Sequence, residues 1–133
     1  MRRTLSKKER LHSKKLIDEL FSDSSSFYFY PFKINYLKKS ENAQFSVQVL
    51  ISVSKKNFKR AVDRNSIKRR VREAYRINKQ LLYSSLKKNN QQLLIGYIYV
   101  SRKMEPFALI QDSVLKIIER ISSLYGIPEK NPE

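Results

Sequence analysis

The run Asp63-Arg64-Asn65-Ser66-Ile67-Lys68-Arg69-Arg70-Val71-Arg72-Glu73-Ala74-Tyr75-Arg76 decides how this chain is read. With Arg64 at zero and about 100° added per residue, Ile67, Val71, Ala74 and, further along, Leu81 fall between roughly 260° and 340°. Lys68, Arg72, Asn65, Arg76 and Arg69 fall between roughly 40° and 140°, nearly opposite. The pattern predicts an amphipathic helix from about Asp63 to about Leu86, with Asp63 as its expected cap. An apolar stripe packed on a sheet would hold a rigid row of guanidinium and ammonium groups toward solvent. Its amino-terminal turn, near Asn65 and Ser66, adds a weaker attraction for anions.

Charge concentrates around this helix. Residues 55–79 carry eleven Lys or Arg, among them Lys55, Lys56, Arg60 and Arg64, against Asp63 and Glu73, so this segment holds +9 of the chain's formal +16. Solvated helices usually alternate sign at i,i+4 spacing and gain a few tenths of a kcal/mol per pair. Here Arg64, Lys68, Arg72 and Arg76 repeat the same sign at that spacing, a repulsion that a polyanion relieves. The row suits phosphate groups of a folded nucleic acid and does not read bases.

Outward from the helix, residues 55–62 form a basic connection. Before it, Phe45, Val47, Val49, Ile51 and Val53 alternate with polar neighbours as a strand does, and Lys38 to Asn42 reads as a turn. The segment Phe27 to Leu37 is aromatic and β-favouring, and is expected to form a long antiparallel pair with residues 45–53, with room for a further strand break. Leu16, Ile17, Leu20 and Phe21 predict a short first helix at about residues 13–22, capped by Ser13. Beyond the basic helix, Leu93 to Val100 is a buried-looking strand. Pro106 then precedes a final helix striped by Phe107, Ile110, Val114, Ile117, Ile118, Ile121 and Leu124, and closed by Gly126 and Pro128. The expected architecture is one α+β domain over residues 1–128, an α-β sandwich of order α-β-β-β-α-β-α, with residues 129–133 a disordered tail.

Composition narrows the chemistry. The 133 residues include no cysteine and one histidine, which excludes disulfides and thiolate metal sites and leaves little for a Ser-His-Asp triad. His12 is expected to be solvated and without a chemical role. Asp18 with Glu19, or Asp63 with Glu73, are conceivable metal ligands but read as solubilising acids on exposed helices. No catalytic set and no metal site is assigned to the protein. No apolar run approaches a membrane span, and the basic start Met1 to Lys8 leads into no signal-peptide core, so a cytoplasmic location is expected.

Ser52-Val53-Ser54-Lys55-Lys56, followed by Ala61 through Arg76, resembles the core motif of the bacterial ribonuclease P protein component. The resemblance is close over about 25 residues and extends in outline over most of the chain. It implies the ribonuclease P protein / ribosomal protein S5 domain 2-like fold. The implied partners are the catalytic RNA of ribonuclease P and precursor tRNA, with no membrane and no small-molecule substrate. Magnesium, bound mainly by the RNA, performs the chemistry with that RNA at the 5′ end of the tRNA. The implied RNA-binding residues are Lys55, Lys56, Arg60, Arg64, Asn65, Lys68, Arg69, Arg72 and Arg76. The family motif is Arg-Asn-Arg, and its third position here is Ser66, for which Arg69 or Arg70 could compensate. Lys56-Asn57-Phe58-Lys59-Arg60 also lacks a glycine common in the family and is one residue longer. The family's cleft for the single-stranded 5′ leader maps onto Lys14, Ile17 and Phe21 of the first helix and Phe32, Lys33, Asn35 and Tyr36 of the sheet. Phe21, Phe32 and Tyr36 equally have the spacing of core residues.

Two other readings fit the basic helix. A ribosomal or other structural RNA-binding protein would use the same faces. A DNA-reading helix is disfavoured, because no heptad repeat follows and no second short helix precedes it.

Overall fold

The computed structural model describes residues 9–39, 47–87 and 92–125. Its elements are α1 (Lys14–Ser22), β1 (Ser25–Phe29), β2 (Phe32–Lys39), β3 (Val47–Val53), α2 (Ala61–Lys87), β4 (Gln92–Tyr99) and α3 (Phe107–Tyr125). The expected element order holds. Of the turn expected over residues 38–42, Lys38 and Lys39 instead continue β2, paired with Leu93 and Gln92. Its remainder, the expected leader, the strand start at Phe45, the stop at Gly126 and Pro128, and the tail beyond it lie outside the described residues.

Four strands form one mixed sheet in the order β1-β2-β4-β3. The expected antiparallel pair of the second and third hydrophobic runs is not formed. β4 lies between them, antiparallel to β2 and parallel to β3. The reason is in its sequence: Leu93, Leu94, Ile95, Gly96 and Tyr97 are all buried, and a strand apolar on both faces belongs in the middle of a sheet covered on both sides. The predicted single strand from Phe27 to Leu37 is divided at Tyr30 and Pro31, whose peptide bond is cis, into the hairpin β1–β2. Proline has no amide hydrogen to give a ladder, so the run breaks there. This division supplies the third strand of the order.

Alternation then sorts the side chains. Leu93, Ile95, Tyr97 and Tyr99 of β4, Phe32 and Ile34 of β2, and Val47, Val49 and Val53 of β3 join α2 and α3 in the main core. From α2 the buried residues are Ile67, Val71, Ala74, Tyr75 and Leu82. Leu81, expected in the stripe, is 43% exposed, and Tyr75 and Leu82 take its place. The true stripe is therefore rotated toward Arg64 by some tens of degrees, and Arg64 sits at its margin. From α3, Ile110, Val114, Ile117, Ile118 and Ile121 are buried, as the stripe predicts, while Leu124, expected to end it, is 53% exposed near the helix terminus. Each such side chain contributes about 1.5–3 kcal/mol by leaving water.

The other sheet face carries α1 over a smaller core of Leu11, Leu20 and Leu94, with Leu16, Ile17, Leu37 and Leu50 packed around it. Ser13 caps α1, its Oγ accepting from the Leu16 amide at 3.3 Å. The helix lies close to β4 because residue 96 is glycine. A β-carbon there would stand 3.2 Å from Leu20 Cδ2, tighter than a packed core readily accepts.

Candidate RNA interface

The connection between β3 and α2 is folded around Phe58. Its amide donates to the Ser54 carbonyl at 3.1 Å, its ring is buried beside Tyr99 at 6.1 Å between centroids, and Ser54 Oγ accepts from the Lys56 amide at 2.9 Å. Pinning this one aromatic leaves Lys55, Lys56, Lys59 and Arg60 exposed around it.

α2 starts at Ala61, two residues before the expected cap. Asp63 is inside the first turn, its amide bonded to the Arg60 carbonyl at 3.1 Å and its carboxylate 3.8 Å from Arg60 Nε. It still meets the positive end of the helix dipole, so its charge offsets part of the anion attraction expected at that end.

The cations on α2 divide by what their neighbours do to them. Arg64 turns back, donating from Nη1 to the carbonyls of Phe58 at 2.8 Å and Lys59 at 2.9 Å. Arg70 points away from the basic face and donates to the Glu105 carbonyl at 2.7 Å, so it does not stand in for the arginine absent at Ser66. Arg76 is held by Glu73 through Nε and Nη2, one edge of its guanidinium, and the same contact pulls the Glu73 carboxyl below its ordinary value. Lys79 donates to Glu9 at 2.6 Å in a pair almost closed to solvent. Lys68, Arg69 and Arg72 have no carboxylate partner among the described residues, and Asn65 is exposed between them on the same side. The row read from the sequence is thus narrowed to a cluster of Asn65, Lys68, Arg69 and Arg72, flanked by the exposed cations of the connection. Apart from the i,i+3 pair Glu73–Arg76, which the register itself contains, the pairing that decides which charges remain available is tertiary and has no signature in that register.

On the α1 face the expected set also divides. Lys14 and Phe21 are exposed, Phe21 to 48%, and Ile17 is half-buried. Lys33 and Asn35 of β2 face the same side. Asn35 is buried and donates from Nδ2 to Ser24 Oγ at 3.0 Å, while Lys33 lies over the ring of Tyr28 at 5.9 Å. Phe32 and Tyr36 do not join them. Phe32 is fully buried in the main core, edge-on to Tyr97 and Tyr99, and Tyr36 packs on Phe27 on that same face. Side chains of opposite parity on one strand cannot share a face, so a set mixing 32, 33, 35 and 36 had to lose one pair. Sequence reasoning missed Tyr28, 69% exposed on the α1 face; the parity of the hairpin partner opposite Lys33 is the signal that marks it.

Among the described residues no three His, Cys, Asp or Glu side chains gather as metal donors. Asp63 and Glu73 are engaged by Arg60 and Arg76 and do not form a joint site.

Comparison with known proteins accords with this fold. The family model described as Ribonuclease P matches residues 5–122. A ribonuclease P protein component from Porphyromonas gingivalis is 38% identical over 118 residues, covering 89% of this chain and 86% of that protein. One from Chlorobium phaeobacteroides is 34% identical over 128 residues, covering 89% and 88%. The solved RNase P protein from Thermotoga maritima superposes with a TM-score of 0.67 at 22% identity, over 84% of this chain and 96% of that one. The Staphylococcus aureus RNase P protein superposes with a TM-score of 0.64 at 21% identity, over 89% and 98%. On the extent of the family match and the identity to these relatives, the chain belongs to the ribonuclease P protein family.

Proposed function

We infer that this chain is the protein subunit of a bacterial ribonuclease P, binding the catalytic RNA and supporting endonucleolytic 5′ maturation of precursor tRNA. The observation that carries the RNA-binding part is the cluster of Asn65 with Lys68, Arg69 and Arg72, three cations without carboxylate partners among the described residues, held rigid because α2 buries its other side against the sheet and α3. Lys55, Lys56 and Arg60 extend it, and Arg64 serves it by organising the connection that displays them. Arg76 contributes less than its place in the register suggests, because Glu73 already holds it.

The α1 face is the site we assign to the single-stranded 5′ leader. Phe21 and Tyr28 offer exposed rings on which bases can stack, and Lys14 and Lys33 offer charge for the backbone. Ile17 and Asn35 form the floor, and Phe32 and Tyr36 are structural.

The chemistry is assigned to the RNA. Asp63, Glu73 and Glu9 are engaged by Arg60, Arg76 and Lys79, and among the described residues no three acids gather, so we place magnesium with the RNA and substrate. The reaction locates the protein in the cytoplasm; no helix among the described residues is long and apolar enough to cross a membrane.

Reconstitution tests the reading. Adding the protein to its cognate ribonuclease P RNA at low magnesium is expected to accelerate 5′ processing of precursor tRNA. No acceleration, together with comigration on ribosomal subunits, would transfer the protein to the structural RNA-binding class.

A further inference from the structure

β1 is the outer strand of the sheet, paired with β2 alone among the described strands. Phe27 and Phe29 are half-buried, and Tyr28 projects from the strand with 69% of its surface exposed. A strand held along one edge twists and frays unless other contacts fix it. Arg120 of α3 covers the Phe27 ring at 4.0 Å, and the rest of the fixing falls at the hairpin turn. The Val100 amide donates to the Pro31 carbonyl at 2.9 Å, and Ser113 Oγ of α3 donates to the Tyr30 carbonyl at 2.9 Å.

The Tyr30 side chain adds a second set of bonds, although the residue is 54% exposed. Its hydroxyl donates to Glu105 Oε2 at 2.5 Å, and with that hydrogen committed it accepts from Ser101 Oγ at 2.8 Å. Ser101 Oγ in turn accepts from the Lys103 amide at 3.0 Å. The donors point the same way along one chain that ends on a carboxylate, an arrangement in which each bond polarises the next.

Glu105 is the far anchor. Its amide donates to the Tyr99 hydroxyl at 3.0 Å, and its carbonyl accepts from Arg70 Nη1 at 2.7 Å. One residue thereby ties β4, α2 and the hairpin together. It is also the one acid between Val100 and Pro106, a stretch that carries Arg102 and Lys103. A negative charge in a basic loop of an RNA-binding protein opposes the partner, and the bond to Tyr30 gives it a use. Arg70 follows Lys68 and Arg69 directly along α2, so the bonds run from the helix assigned to the catalytic RNA to a point two residues from Tyr28.

We propose that Tyr30 and Glu105, fastened to α2 by Arg70, are positioning residues for the 5′ leader: they fix the β1–β2 hairpin so that the exposed Tyr28 ring is presented at a set place relative to the basic face of α2. The proposal rests on the assignment of Tyr28 to the leader. The catalytic RNA and its substrate meet as one assembled body, so a base stacked on Tyr28 helps only if that ring keeps its distance from the face bound to the RNA. Tyr30, Glu105 and Arg70 act through Tyr28 and need not touch the leader.

The holoenzyme reconstituted from the full-length chain and its ribonuclease P RNA tests this through the ratio of affinities for leader-bearing precursor and mature tRNA. Tyr30→Phe keeps the ring and removes the hydroxyl. It is expected to lower the ratio about fivefold, part of what one stacked base supplies, with affinity for ribonuclease P RNA unchanged. Glu105→Ala should act likewise, and Glu105→Gln, whose amide oxygen still accepts from the phenol, should retain the wild-type ratio. Tyr28→Ala should also lower the ratio, and adding Tyr30→Phe to it is expected to cause no further loss. A wild-type ratio in both Tyr30→Phe and Glu105→Ala, whatever their thermal stability, would make these bonds structural only and overturn the proposal. Losses from Tyr28→Ala and Tyr30→Phe that add in full would overturn it as well. A wild-type holoenzyme that binds both RNAs equally would instead overturn the leader reading itself.

Discussion

The Arg64 guanidinium donates to the carbonyl of Phe58 at 2.8 Å, reaching back from the helix to the connection that precedes it. The same Nη1 meets the Lys59 carbonyl at 2.9 Å, so one side chain closes the turn that displays Lys55, Lys56, Lys59 and Arg60. A residue that the register assigns to phosphate contact is thereby also the fastener of its neighbours.

Arg64→Ala is expected to free both carbonyls at a cost of about 1–3 kcal/mol and to speed amide hydrogen exchange across residues 58–60. Arg64→Lys should repair this only in part, since an ammonium lacks the planar fork. Exchange rates unchanged in both variants would remove the fastening role.

Lys68 and Arg69 are expected to act as simple phosphate contacts. Replacing either by Ala should leave thermal stability nearly unchanged and reduce the salt slope of RNA binding by about one unit. A solvated face without phosphate contacts would show no change in slope.

Phe21 is half-exposed on α1, so Phe21→Ala should cost little stability while weakening binding of leader-bearing precursor more than mature tRNA. About tenfold is expected for one lost stacked base, at roughly 1–3 kcal/mol per base. Equal effects on both RNAs would return Phe21 to a packing role.

The Glu9–Lys79 pair is nearly sealed, with side chains 6% and 14% exposed. Lys79→Met should destabilise the fold by on the order of 3 kcal/mol, because the carboxylate is left buried without its counter-charge. Adding Glu9→Gln should recover part of that loss, which denaturant titration of the double-mutant cycle would reveal.

Burial pushes the phenols of Tyr75 and Tyr97 well above their ordinary value near 10. For a group raised on folding, the stabilising contribution is complete below the unfolded value and is lost as pH climbs toward the folded one. Stability should therefore hold up to about pH 10 and then fall by about 1.4 kcal/mol per pH unit for each of the two. Phenolate absorbance followed alongside circular dichroism checks this: these two tyrosines should ionise together with unfolding, and ionisation of all tyrosines ahead of unfolding would contradict it.

The type and order of the elements were readable because each rests on local periodicity. The stripe of α3 and the Ser13 cap of α1 are where the sequence places them, since a 3.6-residue repeat and a capping hydroxyl act within a few residues. Strand pairing was not readable in the same way. The alternation in Val47–Val53 does not name a partner, and only the two-sided burial of Leu93 to Tyr97 explains why β4 separates β2 from β3.

The basic helix shows the same boundary between local and tertiary information. By itself the sequence determined that α2 forms, that it is amphipathic, and that like charges repeat along one side, since charge spacing on a helix is a property of the chain alone. Tertiary structure decided which charges remain available. Glu9 reaches Lys79 across 70 positions and the Glu105 carbonyl takes Arg70 across 35, while Lys68, Arg69 and Arg72 are left without a carboxylate among the described residues. It also brought Arg10 opposite Lys68 and Arg72, and turned the Phe32 and Tyr36 face of β2, rather than the Lys33 and Asn35 face, toward the main core. These outcomes depend on which segments the folded core brings within a few ångströms of each other, and no local pattern encodes that.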